Sequence, residues 1–166
     1  MANISMYVHA ITLDTESNSP ILILKEENGE RTLPIWIGLL EATAIATEME
    51  KIEFARPMTH DLSVNLLKTM EIKIPRIEIS DLRDNTYYAL ITLKQGDREI
   101  TVDARPSDAV AIALRAEARI FVNESVLKKT QPAKETIISG ERTPEEKDKW
   151  AKILEEMDPN AFKYKI

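Results

Sequence analysis

The chain has 166 residues, 43% of them hydrophobic, which is enough for one globular domain with a full core. It contains no cysteine, which excludes disulfide staples and thiolate metal centres and fits a reducing, cytoplasmic location. The net charge is −6, residues 1–50 carry eight acids against only Lys25 and Arg31, and no block is strongly basic. A surface that grips nucleic acid mainly by neutralising phosphates is therefore not expected; such a role needs a small cationic site or a bound metal ion.

The opening MANISMYVHAITL alternates polar and apolar residues and lacks the basic start of a secretory signal, so it predicts a strand over 3–13. A polar turn at 14–19 leads to ILILKEE, a more buried strand from residue 21. ENGE at 27–30 signals a hairpin into RTLPIWI, where Pro34 marks an edge or a bulge. Gly38 ends that run, and LLEATAIATEME is rich in good helix formers. The longest nearly apolar stretch, LPIWIGLLEATAIA, has a glutamate inside it and falls short of the ~20 residues that span a bilayer, so no membrane segment is expected. After a loop at 51–58, a second helix is expected from Thr59 to about Glu71, with Leu62, Leu66 and Met70 as its core stripe.

IKIPRIEISDL, TYYALITLK and REITVDA, separated by the turns RDN and QGD, read as a strand meander. Ser107 opens a third helix, SDAVAIALRAEA, apolar round most of its circumference and so buried. RIFV gives a short strand and NESVLKK a short helix or turn. The Thr-Pro-Glu-Glu at 143–146 supplies cap, proline and capping-box glutamate for a terminal helix from Pro144 to about Met157. The expected organisation is a domain over 1–130, a linker over 131–143 and a C-terminal helix and tail over 144–166. The expected fold class is α+β, a mostly antiparallel sheet with helices packed on it. With four glycines and no glycine-rich loop, a Walker or Rossmann phosphate site is excluded.

Two stretches echo each other, ARPMTHDL at 55–62 and ARPSDAVA at 104–111. Proline disfavours helical geometry in the residue before it, so Arg56 and Arg105 stand just outside two helix starts. Thr59 and Ser107 are suited to cap the first-turn amides, each stabilising its helix by ~1 kcal/mol, and Asp61 and Asp108 suit the positive end of the helix dipole. The structural reading is a pair of well-made caps, with Arg56 pairing with Asp108 and Arg105 with Asp61. The functional reading is an anion or phosphate site built from Arg56, Arg105, Thr59 and Ser107, because guanidinium groups and free helix amides both bind anions. It requires the two starts to converge in space. His60 stands in the first doorway as a candidate general acid or base. Glu41, the one charge between Leu33 and Thr47, calls for a partner, and an arginine from either doorway supplies one. Glu41, Asp61, Asp103 and Asp108 join His60 as candidate catalytic residues, and Glu41, Asp103 and Asp108 are candidate ligands for Mg²⁺ or another hard divalent cation.

LPIWIGLLEATAIA, RPMTHDL and VDARPSDAVAIALR, followed by IFVNESVL, resemble the hallmark blocks of the bifunctional nuclease family, in order across roughly residues 4–130. Residues 144–162, ending MDPNAF, resemble the tail of bacterial members. The resemblance implies a compact α+β domain, homodimeric assembly and nuclease activity on DNA and RNA. Carried over by motif, the matching positions are Glu41, Arg56, Pro57, Thr59, His60, Asp61, Asp103, Arg105, Pro106, Ser107 and Asp108. Three readings follow: a metal-assisted nuclease, a non-enzymatic homodimeric module that binds an anion or a partner protein at the paired doorways, and a hydrolase of a small phosphorylated metabolite.

Overall fold

The computed structural model describes residues 2–130 together with Lys152. The linker expected at 131–143 and, that one residue apart, the terminal helix expected at 144–157 with Trp150 lie outside the described residues. In chain order the elements are β1 (Asn3–Leu13), β2 (Pro20–Glu26), β3 (Thr32–Trp36), α1 (Leu39–Met49), α2 (Thr59–Thr69), β4 (Lys73–Arg83), β5 (Thr86–Gln95), β6 (Arg98–Ala104), α3 (Pro106–Ala116), β7 (Arg119–Asn123) and α4 (Glu124–Lys129). The strands form one seven-stranded sheet in the order β3-β2-β1-β7-β4-β5-β6. Two antiparallel meanders, β1–β2–β3 and β4–β5–β6, flank β7, which runs antiparallel to β1 and parallel to β4. The fold is α+β and mostly antiparallel, as the strand patterns predict.

Local chemistry explains the strand details. Asp84 and Asn85 both adopt positive φ, 47° and 59°, the requirement of the tight turn whose twist matches that of the strands it joins. β1 carries a bulge between Val8 and Ala10, so Met6 and Val8 face the core before it and Ile11 and Leu13 after it. β4 shifts register between Lys73 and Arg76, where Pro75 lacks an amide to give the ladder, and again between Ile79 and Asp81. Pro34 lies in β3, an edge strand. Tyr87 on β5 donates to the carbonyl oxygen of Pro34 on β3 at 3.4 Å, although β2, β1, β7 and β4 lie between them. A flat sheet would hold those strands about 24 Å apart at ~4.8 Å per step, so the sheet is strongly curled.

The helices α1 and α3 pack against each other and cover the sheet, α1 over β2 and α3 over β4, β5 and β7, while α2 packs on α3. Ala42, Ile45, Ala109, Val110 and Ala113 join Leu22, Leu24, Ile77 and Ile79 in one core. The expected core stripe of α2 is not buried: Leu62, Leu66 and Met70 are 50%, 56% and 59% exposed. The inward face of α2 instead runs through His60, Asp61, Val64 and Leu67, because the polar ties of its first turn to α3 set its rotation. The capping residues differ too. Met58 and Arg105 are the N-caps of α2 and α3, Thr59 is the first residue of its helix, and Ser107 is buried one residue inside α3 behind Pro106.

Candidate functional site

Each of α1, α2 and α3 carries an acid at its third position: Glu41, Asp61 and Asp108. An acid there commonly folds back on the N-cap amide, and Asp61 does so, its Oδ2 accepting from Met58 N at 2.9 Å. The other two are tied by one side chain. Arg105 donates from Nε to Asp108 Oδ2 (2.7 Å) and from Nη1 to Glu41 Oε1 (2.8 Å), joining the starts of α1 and α3. Gly38, the N-cap of α1, leaves the room that Glu41 uses; a Cβ on Gly38 would stand 2.2 Å from Glu41 Oε2. On its second oxygen, Asp108 meets His60 Nε2 at 2.9 Å. The two Ala-Arg-Pro doorways therefore converge, through His60 of the first and Asp108 and Arg105 of the second.

A second arginine, which the sequence reading did not single out, holds the floor. The Arg115 side chain is 7% exposed; its Nε pairs with Asp61, and it donates to the carbonyls of Ala111 (3.0 Å) and Ala44 (2.9 Å). It thus locks α2 to α1 and α3 with every contact hydrogen-bonded, the condition for a tolerable buried cation. The signal for it resembled the one that marked Glu41: Arg115 is the one charge between Asp108 and Glu117.

These groups surround a cavity of about 590 Å³. Its polar wall is Glu41, Thr59, His60, Arg105, Asp108 and Arg115; Leu39, Leu40, Ala44, Phe54 and Met58 make the apolar side. Burial works to raise the Asp108 carboxyl, but hydrogen bonds from Arg105 and His60 outweigh it and hold the group below its ordinary value. The same Asp108 contact, with help from Glu41, keeps Arg105 above the usual arginine range. Asp108 is therefore ionised near neutrality and accepts from His60 Nε2; in a neutral ring this contact places the lone pair on Nδ1. Arg105 remains 65% exposed, and its Nη2 is not used in the contacts to Asp108 and Glu41.

The remaining expected residues are placed differently. The cross-pairing of Arg56 with Asp108 and of Arg105 with Asp61 is not what forms. Asp108 takes Arg105 and Asp61 takes Arg115, while Arg56 is exposed and makes no ion pair among the described residues. Asp103, on the edge strand β6, is exposed; neither it, Arg56 nor Ser107 lines the cavity. Among the described residues, no group of three or more His, Asp or Glu side chains is placed to hold a metal ion. No helix of the described residues is long and apolar enough to cross a membrane.

Residues 22–135 match the family model of the bifunctional nuclease domain. A Mycobacterium tuberculosis protein described as uncharacterised is 40% identical over 161 residues, covering 94% of this chain and 96% of that protein. Bifunctional nuclease 2 of Oryza sativa subsp. japonica is 28% identical over 130 residues, 73% of this chain and 40% of the rice protein. Bifunctional nuclease 2 of Arabidopsis thaliana is 28% identical over 107 residues, 62% of this chain and 32% of the plant protein. The hallmark blocks read in the sequence fall largely within the matched span and build the three helix starts around this cavity: the chain belongs to the bifunctional nuclease family.

Proposed function

We propose that this chain hydrolyses phosphodiester bonds of DNA and RNA at the cavity between the starts of α1, α2 and α3. The observation that carries the reading is the His60–Asp108 hydrogen bond standing beside the exposed guanidinium of Arg105. Asp108 orients the imidazole and fixes its tautomer; His60 Nδ1 takes the proton of an attacking water and returns it to the leaving oxygen as the P–O bond breaks, a contribution of typically 10²–10⁴-fold. Arg105 offers its unused Nη2 to the negative charge that develops on the phosphoryl oxygens. Arg56, exposed in the loop before α2, supplies a further cation for the nucleic-acid backbone.

A divalent cation such as Mg²⁺ does not find a ready cage in these residues. Glu41 and Asp108 are its acidic candidates at the rim, both already bind Arg105, and Asp103 does not line the cavity. An ion used here would be carried in by the substrate's phosphates, since Mg²⁺ commonly takes only one or two protein carboxylates. Chelation by EDTA reports on such an ion separately.

The test is cleavage of defined single-stranded DNA and RNA oligonucleotides by wild type, His60→Asn and Arg105→Ala, each shown to be folded by circular dichroism. The reading expects a loss of about 100-fold or more in His60→Asn; undiminished cleavage in both folded variants overturns it. A second reading, a non-enzymatic module that binds an anion or a partner protein, is favoured on the partner side by the apolar mouth, where Leu40 is 83% and Leu39 50% exposed. Thermal stabilisation by nucleotide without turnover selects that reading, and hydrolysis confined to small phosphorylated compounds selects a metabolite hydrolase. The assembly we propose is a homodimer, checked by light scattering after size-exclusion chromatography.

A further inference from the structure

The two edges of the sheet are unequal. β3 closes one side and carries Pro34, which cannot donate to an added strand and so blunts that edge. β6 closes the other with REITVDA, which holds no proline and pairs with β5 from Arg98 to Ala104 without a register shift. Residues 98–103 are all exposed, on both faces of the strand. Ile100 and Val102 lie opposite Leu93 and Ile91, which belong to the helix-covered apolar face, yet they are 44% and 43% exposed. The apolar face of the sheet thus runs on past its helix layer to an open edge.

Hydrogen-bond parity limits what can pair there. The two-residue turn Gly96–Asp97 makes Gln95 and Arg98 a mutually bonded pair. Backbone groups of residues 98, 100, 102 and 104 therefore serve β5, and those of Glu99, Thr101 and Asp103 face outward. We propose that β6 pairs antiparallel with β6 of a second copy of this chain about a two-fold axis at Thr101, fusing two sheets into one. This inference rests on the homodimer reading above and is independent of the nuclease reading.

The register is argued from side chains. Centred on Thr101, Ile100 of each copy faces Val102 of the partner subunit, so four uncovered aliphatic side chains cover one another on the core side of the sheet. On the opposite face Glu99 meets Asp103 of the partner subunit. Glu99 already lies opposite Lys94 and 3.7 Å from Arg76 Nη2, so that acid pair is set among two cations. The same register sets Arg98 of the partner subunit opposite Ala104, next to Arg105. A two-fold contact of one strand with itself is the self-complementary kind that closes at a dimer instead of growing into a fibre.

Light scattering on the full chain tests the proposal with wild type, Thr101→Pro, which removes the outward amide at the axis, and the double variant Ile100→Lys/Val102→Lys. Both changes sit at exposed positions, and unchanged melting curves confirm folding; the lysine variant keeps the test open if proline disturbs the strand. The expected result is a wild-type dimer and, for each variant, a dissociation constant raised at least about 100-fold. Because the chain has no cysteine, an equimolar mixture of Ile100→Cys and Val102→Cys proteins should oxidise to a covalent heterodimer while neither variant alone does. A dimer that survives both interface variants, or lacks that cross-link, overturns the β6 contact and leaves the homodimer standing. A monomeric wild type overturns both, and the oligonucleotide assay is unaffected by either outcome.

Discussion

The stretches 55–62 and 104–111 share Ala-Arg-Pro and a following aspartate, but their helices begin at different points within them. In the second, Arg105 is the N-cap and Pro106 the first helical residue; in the first, Met58 is the N-cap and Thr59 the first residue. Asp61 and Asp108 are equivalent, each third in its helix, whereas Arg56 and Arg105 are not. Asp108 lies three positions after Arg105, and the side chains meet across the helix start. Asp61 lies five positions after Arg56, and it turns to the Met58 amide and to buried Arg115. The same letters therefore place Asp108 in a cavity-lining set with Arg105 and with His60 of the other doorway, and Asp61 in a brace with buried Arg115. Equivalence is set by helix register, not by the motif.

The comparison makes Asp61 a matter of stability and Asp108, which holds His60 of the first doorway, a matter of chemistry. Its largest test is Arg115→Ala, which leaves Asp61 Oδ1 and the Ala44 carbonyl without this donor. Breaking such a buried tie should cost about 3 kcal/mol, read as a lower urea midpoint; an unchanged midpoint would dissolve the brace. Next come the matched pair Asp61→Asn and Asp108→Asn. The first should lower the midpoint while keeping cleavage per folded molecule. The second should remove at least about tenfold of the cleavage, since the imidazole loses its orienting carboxylate. If the two exchange behaviours, the assignment of roles is reversed.

A smaller effect lies in the acid range. The Asp108 carboxyl is held below its ordinary value of 3.8 in the folded protein. A depressed folded value means that the stabilisation is present above the unfolded value and is lost as pH falls through the folded one. Stability of wild type should therefore decline below about pH 4, and Asp108→Asn should flatten that part of a urea-midpoint-against-pH curve. The smallest effect belongs to Arg56→Ala, which should leave the midpoint of unfolding where it is and weaken only binding of an anionic strand, with a shallower salt dependence. A clear loss of stability there would show that Arg56 braces the fold after all.

Much of this was legible in the chain. Alternation and turn chemistry placed β1, β2, β4, β5 and β6 within a residue or two, because strand faces and two-residue turns are decided by neighbours in sequence. Glu41 announced its need for a cation by standing alone in an apolar run, and Arg105 is that cation. Leu62, Leu66 and Met70 show the limit of the same reasoning. Periodicity measures that a helix has an apolar face, but the rotation of α2 is set by where His60 and Asp61 find partners on α3. Thr59 and Ser107 were sound capping candidates by residue type, displaced because Pro106 starts α3 one residue early and Met58 ends the loop before α2.

By itself the sequence determined the two strand meanders, the helix starts with their acids and the family blocks, since each depends on short-range sterics, hydrogen bonding and residue order. Only the tertiary structure decided that β7 would enter between β1 and β4, and that His60 would meet Asp108. It also decided that Arg115, not Arg56, would take Asp61. Those outcomes turn on how elements far apart in the chain are brought within about 3 Å, the reach of a hydrogen bond, and no local pattern encodes a distance between helices.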